Sequence, residues 1–424
     1  MGESGFIHKI KESISDICHI CVEEMRNVRR DEGMLIFFVL VPLLYPLLYS
    51  WVYNNEVVHD VPVVVVDDSH SSLSRQFVRS CDATPEVKVL CYANDMDEAR
   101  SLMSRQIVKG IYYLPSDFSV SLNRMEQTDV SVYCDMSLML TYKAIYQAAM
   151  AVSQAMNSEI QIKLAGNYTD REDKITTSPL AFTAVPLFNP AGGYGSFVLP
   201  AVLMLILQQT LVLGIGLSAG TARERNRYHE LIPFNRRYRG TFRIVFGKSL
   251  FYFMLYIVMG AYLSMLVPRL FDFVMLASPS VLLGIMVPYI IACVFFGMTV
   301  SCLVRYRENV MLLVVFASLP LLFLSGVSWP QSNMPWYWES IAWLFPSTFG
   351  VRAYVRANTM GASLQDLSVE YTALWGQAVA YFFLTCAVYY NQILLSKRHA
   401  IEWLERLRRK REVRRRLREI SVRR

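Results

Sequence analysis

Residues 34–53 read MLIFFVLVPLLYPLLYSWVY. The run carries no charge, and a bilayer core of roughly 30 Å takes about 20 apolar residues as helix. Working outward, five more runs of this kind follow at 194–218, 244–267, 281–304, 310–327 and 371–395. Lys248, one turn inside the third, is the sole charge in them. Between the first run and the second lies a stretch of ordinary, water-compatible composition. The implied fold is a membrane all-α bundle of six transmembrane helices with an inserted extracytoplasmic α/β domain. Composition agrees: 54% hydrophobic, 18% charged and a mean hydropathy of +0.29 suit a polytopic membrane protein.

Charge placement sets the expected orientation. With the N-terminus inside, 28 of the 42 Lys and Arg fall on the cytoplasmic side, 13 of them in 396–424. The short outer loops carry Arg269, Arg352 and Arg356, so the positive-inside bias places both termini in the cytoplasm. Residues 34–53 lack the short core and small-residue cleavage site of a signal peptide, and read as an uncleaved signal anchor. The domains are then 1–33, a cytoplasmic amphipathic interfacial helix; 34–53, the first span; 54–193, the extracytoplasmic domain; 194–395, five further spans; and 396–424, a basic tail helix.

Ile7, Ile10, Ile14, Ile17, Cys21, Met25 and Val28 form one apolar stripe on the N-terminal helix. Beside a span, such a helix suits the cytoplasmic membrane surface; packing on a partner is the alternative. Pro42 and Pro46 are expected to bend the first span in its second half. In the extracytoplasmic stretch, strands are expected at 61–66, 87–92, 110–114 and 130–134. Helices are expected from a cap at Asp67-Asp68-Ser69 to about Ser80, over 96–107 and over 138–164. Trp329, Trp336, Tyr337, Trp338 and Trp343 crowd 326–370, which therefore hugs the outer interface or dips into it.

Catalytic motifs fail on spacing. Gly240 and Gly247-Lys248-Ser249 stand too far apart for a phosphate loop, and His229-Glu230 lacks its second His, Pro233 taking the place. No metal site is expected: Cys18 and Cys21 have no second ligand pair, and the six His are scattered. Cys293, Cys302 and Cys386 act as small apolar groups in the spans, while the odd set Cys81, Cys91 and Cys134 argues against a disulfide framework. The chain is expected to be no enzyme and to bind no cofactor.

Three features carry functional weight. The loop 219–243 holds Arg223, Glu224, Arg225, Arg227, Glu230 and Leu231. It suits docking of a cytosolic partner, or is ordinary positive-inside decoration. Gln208 and Gln209, polar at mid-span, need a translocation path, a partner or an internal hydrogen bond. Gly216 and Gly220 permit close approach of a second helix, such as that of a paired subunit. The tail suits anionic lipid, or a cytosolic partner's surface, rather than nucleic acid.

The arrangement resembles an ABC-2-type permease of the branch with a large extracytoplasmic domain after the first helix. The resemblance rests on Arg29-Arg30-Asp31, on Asp68, Ser71, Ser72, Ser74 and Arg75 after an apolar strand, and on Asn189-Pro190. It continues through Arg223, Glu224, Glu230, Leu231, Gly247 and Lys248 in the coupling loop, Ser325, Gly326 and Pro330 after span five, and Pro346–Arg352. The Gly-Thr usual in the loop is missing; Arg227-Tyr228 stands near there.

The resemblance implies a multi-pass protein of a bacterial inner membrane, exporting hydrophobic or amphipathic substrates. A separate cytosolic ABC ATPase would hold the ATP and Mg. The partner permease would be a second copy or a sibling, with a periplasmic adaptor and outer-membrane channel beyond. It also implies that reversing Arg223 and Arg225 to Glu uncouples transport without unfolding the spans. The rival reading is an ATP-independent membrane scaffold or receptor, whose exported domain binds a ligand or secretion partner.

Overall fold

The computed structural model describes all residues except 1–2, 55, 125, 167, 181–184, 186, 190–192, 225–239, 303, 305 and 395–424; the side chains of 3–10 and 222 are likewise outside the description. Arg225, Arg227, Glu230, Leu231 and the basic tail therefore lie outside the described residues. The chain divides into two compact units, one of residues 55–186 and one of 1–54 with 187–424.

Among the described residues, the larger unit holds six helices long and apolar enough to cross a membrane: Glu32–Val52, Tyr194–Thr221, Thr241–Leu270, Pro279–Val300, Arg307–Leu324 and Ser368–Leu394. Span two is the hub, 83% buried in its apolar window against 22% for spans one, five and six. Spans four and five and a further helix, Pro346–Met360, pack on it. That last helix is preceded by the short helix Trp336–Ala342, whose Trp336, Tyr337 and Trp338 are exposed. By contrast, Pro346–Val351, Ala353, Tyr354 and Ala357 are all buried in the bundle.

Span one is not a uniform α-helix. Ile36–Leu40 forms a wide π-turn before the α-helix Val41–Val52, and Tyr262–Leu266 forms another in span three. The first lies beside Pro42, which removes an amide hydrogen and crowds the carbonyl four residues back, so the wider turn relieves the clash. It also aims Phe38, fully buried, between the rings of Tyr252 and Tyr256 at 5.5 and 6.0 Å.

The N-terminal helix, Glu3–Arg30, packs along the start of span three. Its buried face is Asp16, Ile20, Glu24 and Val28, whereas Ile14 and Met25 of the apolar stripe read from the sequence are exposed. The helix is thus rotated from that expectation, because cations on the neighbouring spans compensate the two acids.

In the smaller unit, strands β1 (Val61–Asp67), β2 (Val87–Ala93), β3 (Gly110–Leu114) and β4 (Ser131–Cys134) form one sheet in the order β2-β1-β3-β4. β1 pairs in parallel with β2 and β3, and β3 runs antiparallel to β4. The β-branched run of β1 is covered on both faces, as a central parallel strand requires. Val61, Val63 and Val65 face a core with Phe77, Tyr112 and Ile145; Val64 and Val66 face another with Ala99 and Ile111.

The first helix of this unit runs Ser72–Asp82, and its cap is Ser71 rather than the expected Asp67–Ser69 group. Asp67 instead folds the turn before it, accepting from the amides of Ser69 and His70 and, at 2.7 Å, from the Ser74 hydroxyl. A shorter helix follows at Met96–Ser104 and a much longer one at Met139–Ala165.

All eight cysteines are free thiols. Burial pushes the Cys81 thiol up to about 12. Because each unit of increase cuts the thiolate fraction tenfold at a pH below both values, alkylation of Cys81 by iodoacetamide at pH 8 is expected to run roughly a thousand-fold slower in the folded protein than in urea. Peptide mapping checks this; labelling at the unfolded rate would mean the helix Ser72–Asp82 does not seal the core.

Candidate functional site

Arg223 lies in the last turn of the helix that begins as span two. Its side chain is turned inward: 9% exposed, with Nη1 donating to the carbonyls of Ser301 and Val304. Those acceptors lie at the end of span four, where a helix leaves carbonyls without intrahelical partners. Arg223 therefore fastens two spans, while Glu224 beside it is exposed. Of the six residues singled out in the loop, these two are described.

Among the described residues, the N-terminal helix meets this end of the bundle through two ion pairs, and Asp31, in the break before span one, adds a third. Asp16 pairs with Arg243 at 2.8 Å, Glu24 with Lys248 at 2.9 Å, and Asp31 with Arg307 at 3.1 Å. Glu24 also accepts from the Tyr252 hydroxyl. Lys248 sits inside the helix Thr241–Ala261, so the Gly247-Lys248-Ser249 run is not a phosphate loop. Gly247 is needed for contact instead: a Cβ there would lie 2.7 Å from Ile20. Sequence reasoning marked Lys248 but missed Asp16 and Glu24, which in a helical projection look like ordinary solvent-facing acids.

The mid-span polar residues separate. Gln208, 1% exposed, is satisfied within the chain: its oxygen accepts from the Ser347 amide at 2.7 Å and its nitrogen donates to the Ser347 hydroxyl at 3.1 Å. It thereby caps the start of the helix Pro346–Met360 near the middle of span two. Gln209, turned away by one helical step, is half-buried, and its amide nitrogen has no partner. Gly216 and Gly220 are occupied as well. A Cβ on Gly216 would meet Val310 at 2.5 Å, and one on Gly220 the Arg307 backbone at 3.2 Å. The close approach these glycines permit is therefore to span five of the same chain.

Ser325, Gly326 and Pro330 form the turn out of span five. Ser325 donates to Leu322 at 2.6 Å, Gly326 takes a positive φ of 86°, and Pro330 leads a short 3-10 turn, Gln331–Asn333. Arg352 donates from Nε to the Ser325 carbonyl at 3.4 Å, tying this turn to the helix Pro346–Met360. Among the described residues, no group of three or more His, Cys, Asp or Glu is placed to hold a metal ion.

Six apolar spans, an insertion after the first and a charged, ion-paired end define a membrane transport subunit architecture. The chain belongs to the ABC-2 family of transporter proteins, whose family model matches residues 33–387. It is similar to the probable multidrug ABC transporter permease YbhR of Escherichia coli (strain K12), 21% identical over 360 residues, covering 83% of this chain and 91% of that protein. It is likewise 21% identical over 374 residues to the probable multidrug ABC transporter permease YbhS of the same organism, covering 86% of this chain and 94% of that protein.

Proposed function

We propose that this chain is the permease subunit of an ABC exporter that moves hydrophobic or amphipathic substrates outward across a bacterial inner membrane. The observation that carries the reading is the family match, which spans the insertion and the bundle together. The similarity to multidrug permeases supports the substrate class. ATP and Mg belong to a separate cytosolic ABC ATPase, and this chain catalyses no reaction of its own. A second copy or sibling permease completes the transmembrane pair, with a periplasmic adaptor and outer-membrane channel as further carriers.

In this reading both termini are cytoplasmic and the unit 55–186 is exported. The coupling segment 219–243 receives the ATPase, with Arg225, Arg227, Glu230 and Leu231 as its contacts, and the basic tail rests on anionic lipid. Arg223 and Glu224 end the helix that leads into this segment. Of the two mid-span glutamines, Gln209, whose amide nitrogen is buried without a partner, is the one left for substrate or the second subunit, since an unmet polar group there is costly. Gly216 and Gly220 act earlier, in seating span five.

Purification of the full chain from its native membrane provides the test. The purified chain is expected to bring down a subunit with a phosphate loop and to raise its ATP hydrolysis in liposomes. Recovery without such a subunit, together with ligand binding by 55–186, would favour the scaffold or receptor reading.

A further inference from the structure

The two ion pairs of the N-terminal helix and the one made by Asp31 just beyond it differ in depth. Arg243 and Arg307 keep part of their surface in solvent, but Glu24 and Lys248 are sealed at 3% and 5% exposure. A buried ion pair contributes little net stability against an apolar pair of the same shape; its attested use is to fix register. Register is what the surroundings enforce here. Ile20 fills the hollow over Gly247, and Tyr252, one turn beyond Lys248, holds the second oxygen of Glu24. A slip of one turn would strand both charges and drive Ile20 into a side chain.

The N-terminal helix and the start of span three are therefore one rigid piece. That piece begins directly after the loop 225–239, since Arg243 and Lys248 are the first charged groups of span three. Its other end stops at Arg30, and the next residue, Asp31, which caps the start of span one, holds Arg307 by two hydrogen bonds of 3.1 and 3.4 Å. Arg307 in turn lies where Gly220 of span two closes on span five.

We propose that Glu24 and Lys248 are positioning residues for energy coupling. The pair makes the N-terminal helix a strut that carries displacement of the head of span three, from Thr241 to Lys248, to the start of span five. The proposal rests on the permease reading above. A push on the head of span three moves the helix through the buried pair, and Asp31, next in the chain, delivers the movement to Arg307. Neither residue contacts substrate or nucleotide in this scheme.

The test uses the full-length permease–ATPase complex in liposomes, compared nucleotide-free and trapped with ATP and vanadate. Hydrogen–deuterium exchange is followed at 241–249 and at 307–313. In the wild type both segments are expected to change on trapping. In Glu24→Gln with Lys248→Gln, which removes both charges together, the change is expected to persist at 241–249 and vanish at 307–313. Efflux of a fluorescent hydrophobic dye per ATP hydrolysed should fall about ten-fold.

Glu24→Lys with Lys248→Glu keeps a pair and is expected to restore the change at 307–313. A full change at 307–313 in the double Gln variant overturns the proposal. If that variant fails to assemble, the swapped pair decides alone: transmission supports the strut, and its loss overturns it. A wild-type chain that neither binds nor stimulates an ATPase instead removes the permease reading beneath it.

Discussion

Gly350→Val is expected to cost the bundle about 3 kcal/mol or more, at the upper end of the usual range for overpacking. Any Cβ at position 350 would stand 2.3 Å from two carbons of the Tyr289 ring. That ring is fully buried, and its hydroxyl donates to the Met204 carbonyl at 2.6 Å. Moving it aside breaks a bond to span two and disturbs the seat of the helix Pro346–Met360. In detergent, the variant is expected to give a poor monodisperse yield and to melt about 6 °C or more below the wild type. Adding Tyr289→Leu, which vacates the ring, should recover part of the loss. A melting point equal to the wild type's would mean that this helix is not wedged against span four as described.

Arg223→Glu has an expected effect of similar size and a different cause. The new carboxylate would face the carbonyls of Ser301 and Val304, acceptors against acceptor, in a site with 9% exposure. Leaving a buried charge without its partner costs about 3–5 kcal/mol. The expected outcome is failure to fold, so the clean uncoupling anticipated from the sequence does not suit this residue. Arg223→Lys, which keeps the charge and one donor, should fold with a modest loss. Thermal unfolding of the two variants measures the difference. An Arg223→Glu protein as stable as the wild type would show that the two carbonyls find other donors.

The sequence made the six spans legible because each is an apolar run broken by polar loops, and length alone sets the threshold. It also made the strands legible: the valines of 61–66 fit a sheet buried on both sides, and the structure has β1 at Val61–Asp67. What stayed hidden depends on rotation and distance rather than on composition. Gln208 and Gln209 differ by one helical step, yet one is fully bonded and the other retains a free amide nitrogen. Glu24 and Lys248 are far apart in sequence, and no periodicity announces that two opposite charges will meet. Arg223 shares its loop with other arginines, so its inward turn becomes visible only once the end of span four is in place. The π-turns had a partial signal in Pro42, which marks where the helix must yield but not how.

Tyr53 and Tyr194, the last aromatic of span one and the first of span two, lie with ring centroids 5.6 Å apart. Gly195 closes the same corner, with room for no Cβ against the Tyr53 carbonyl. The chain therefore leaves the bundle and re-enters it at almost the same point. Topologically, spans one and two are a hairpin whose loop happens to fold. A few residues joining Asn54 to the start of span two would close that hairpin, and everything in 55–186 could lengthen, shrink or be exchanged during descent without re-threading a single span. The membrane machinery and its appendage are in this sense separately heritable, with one tyrosine pair guarding the seam.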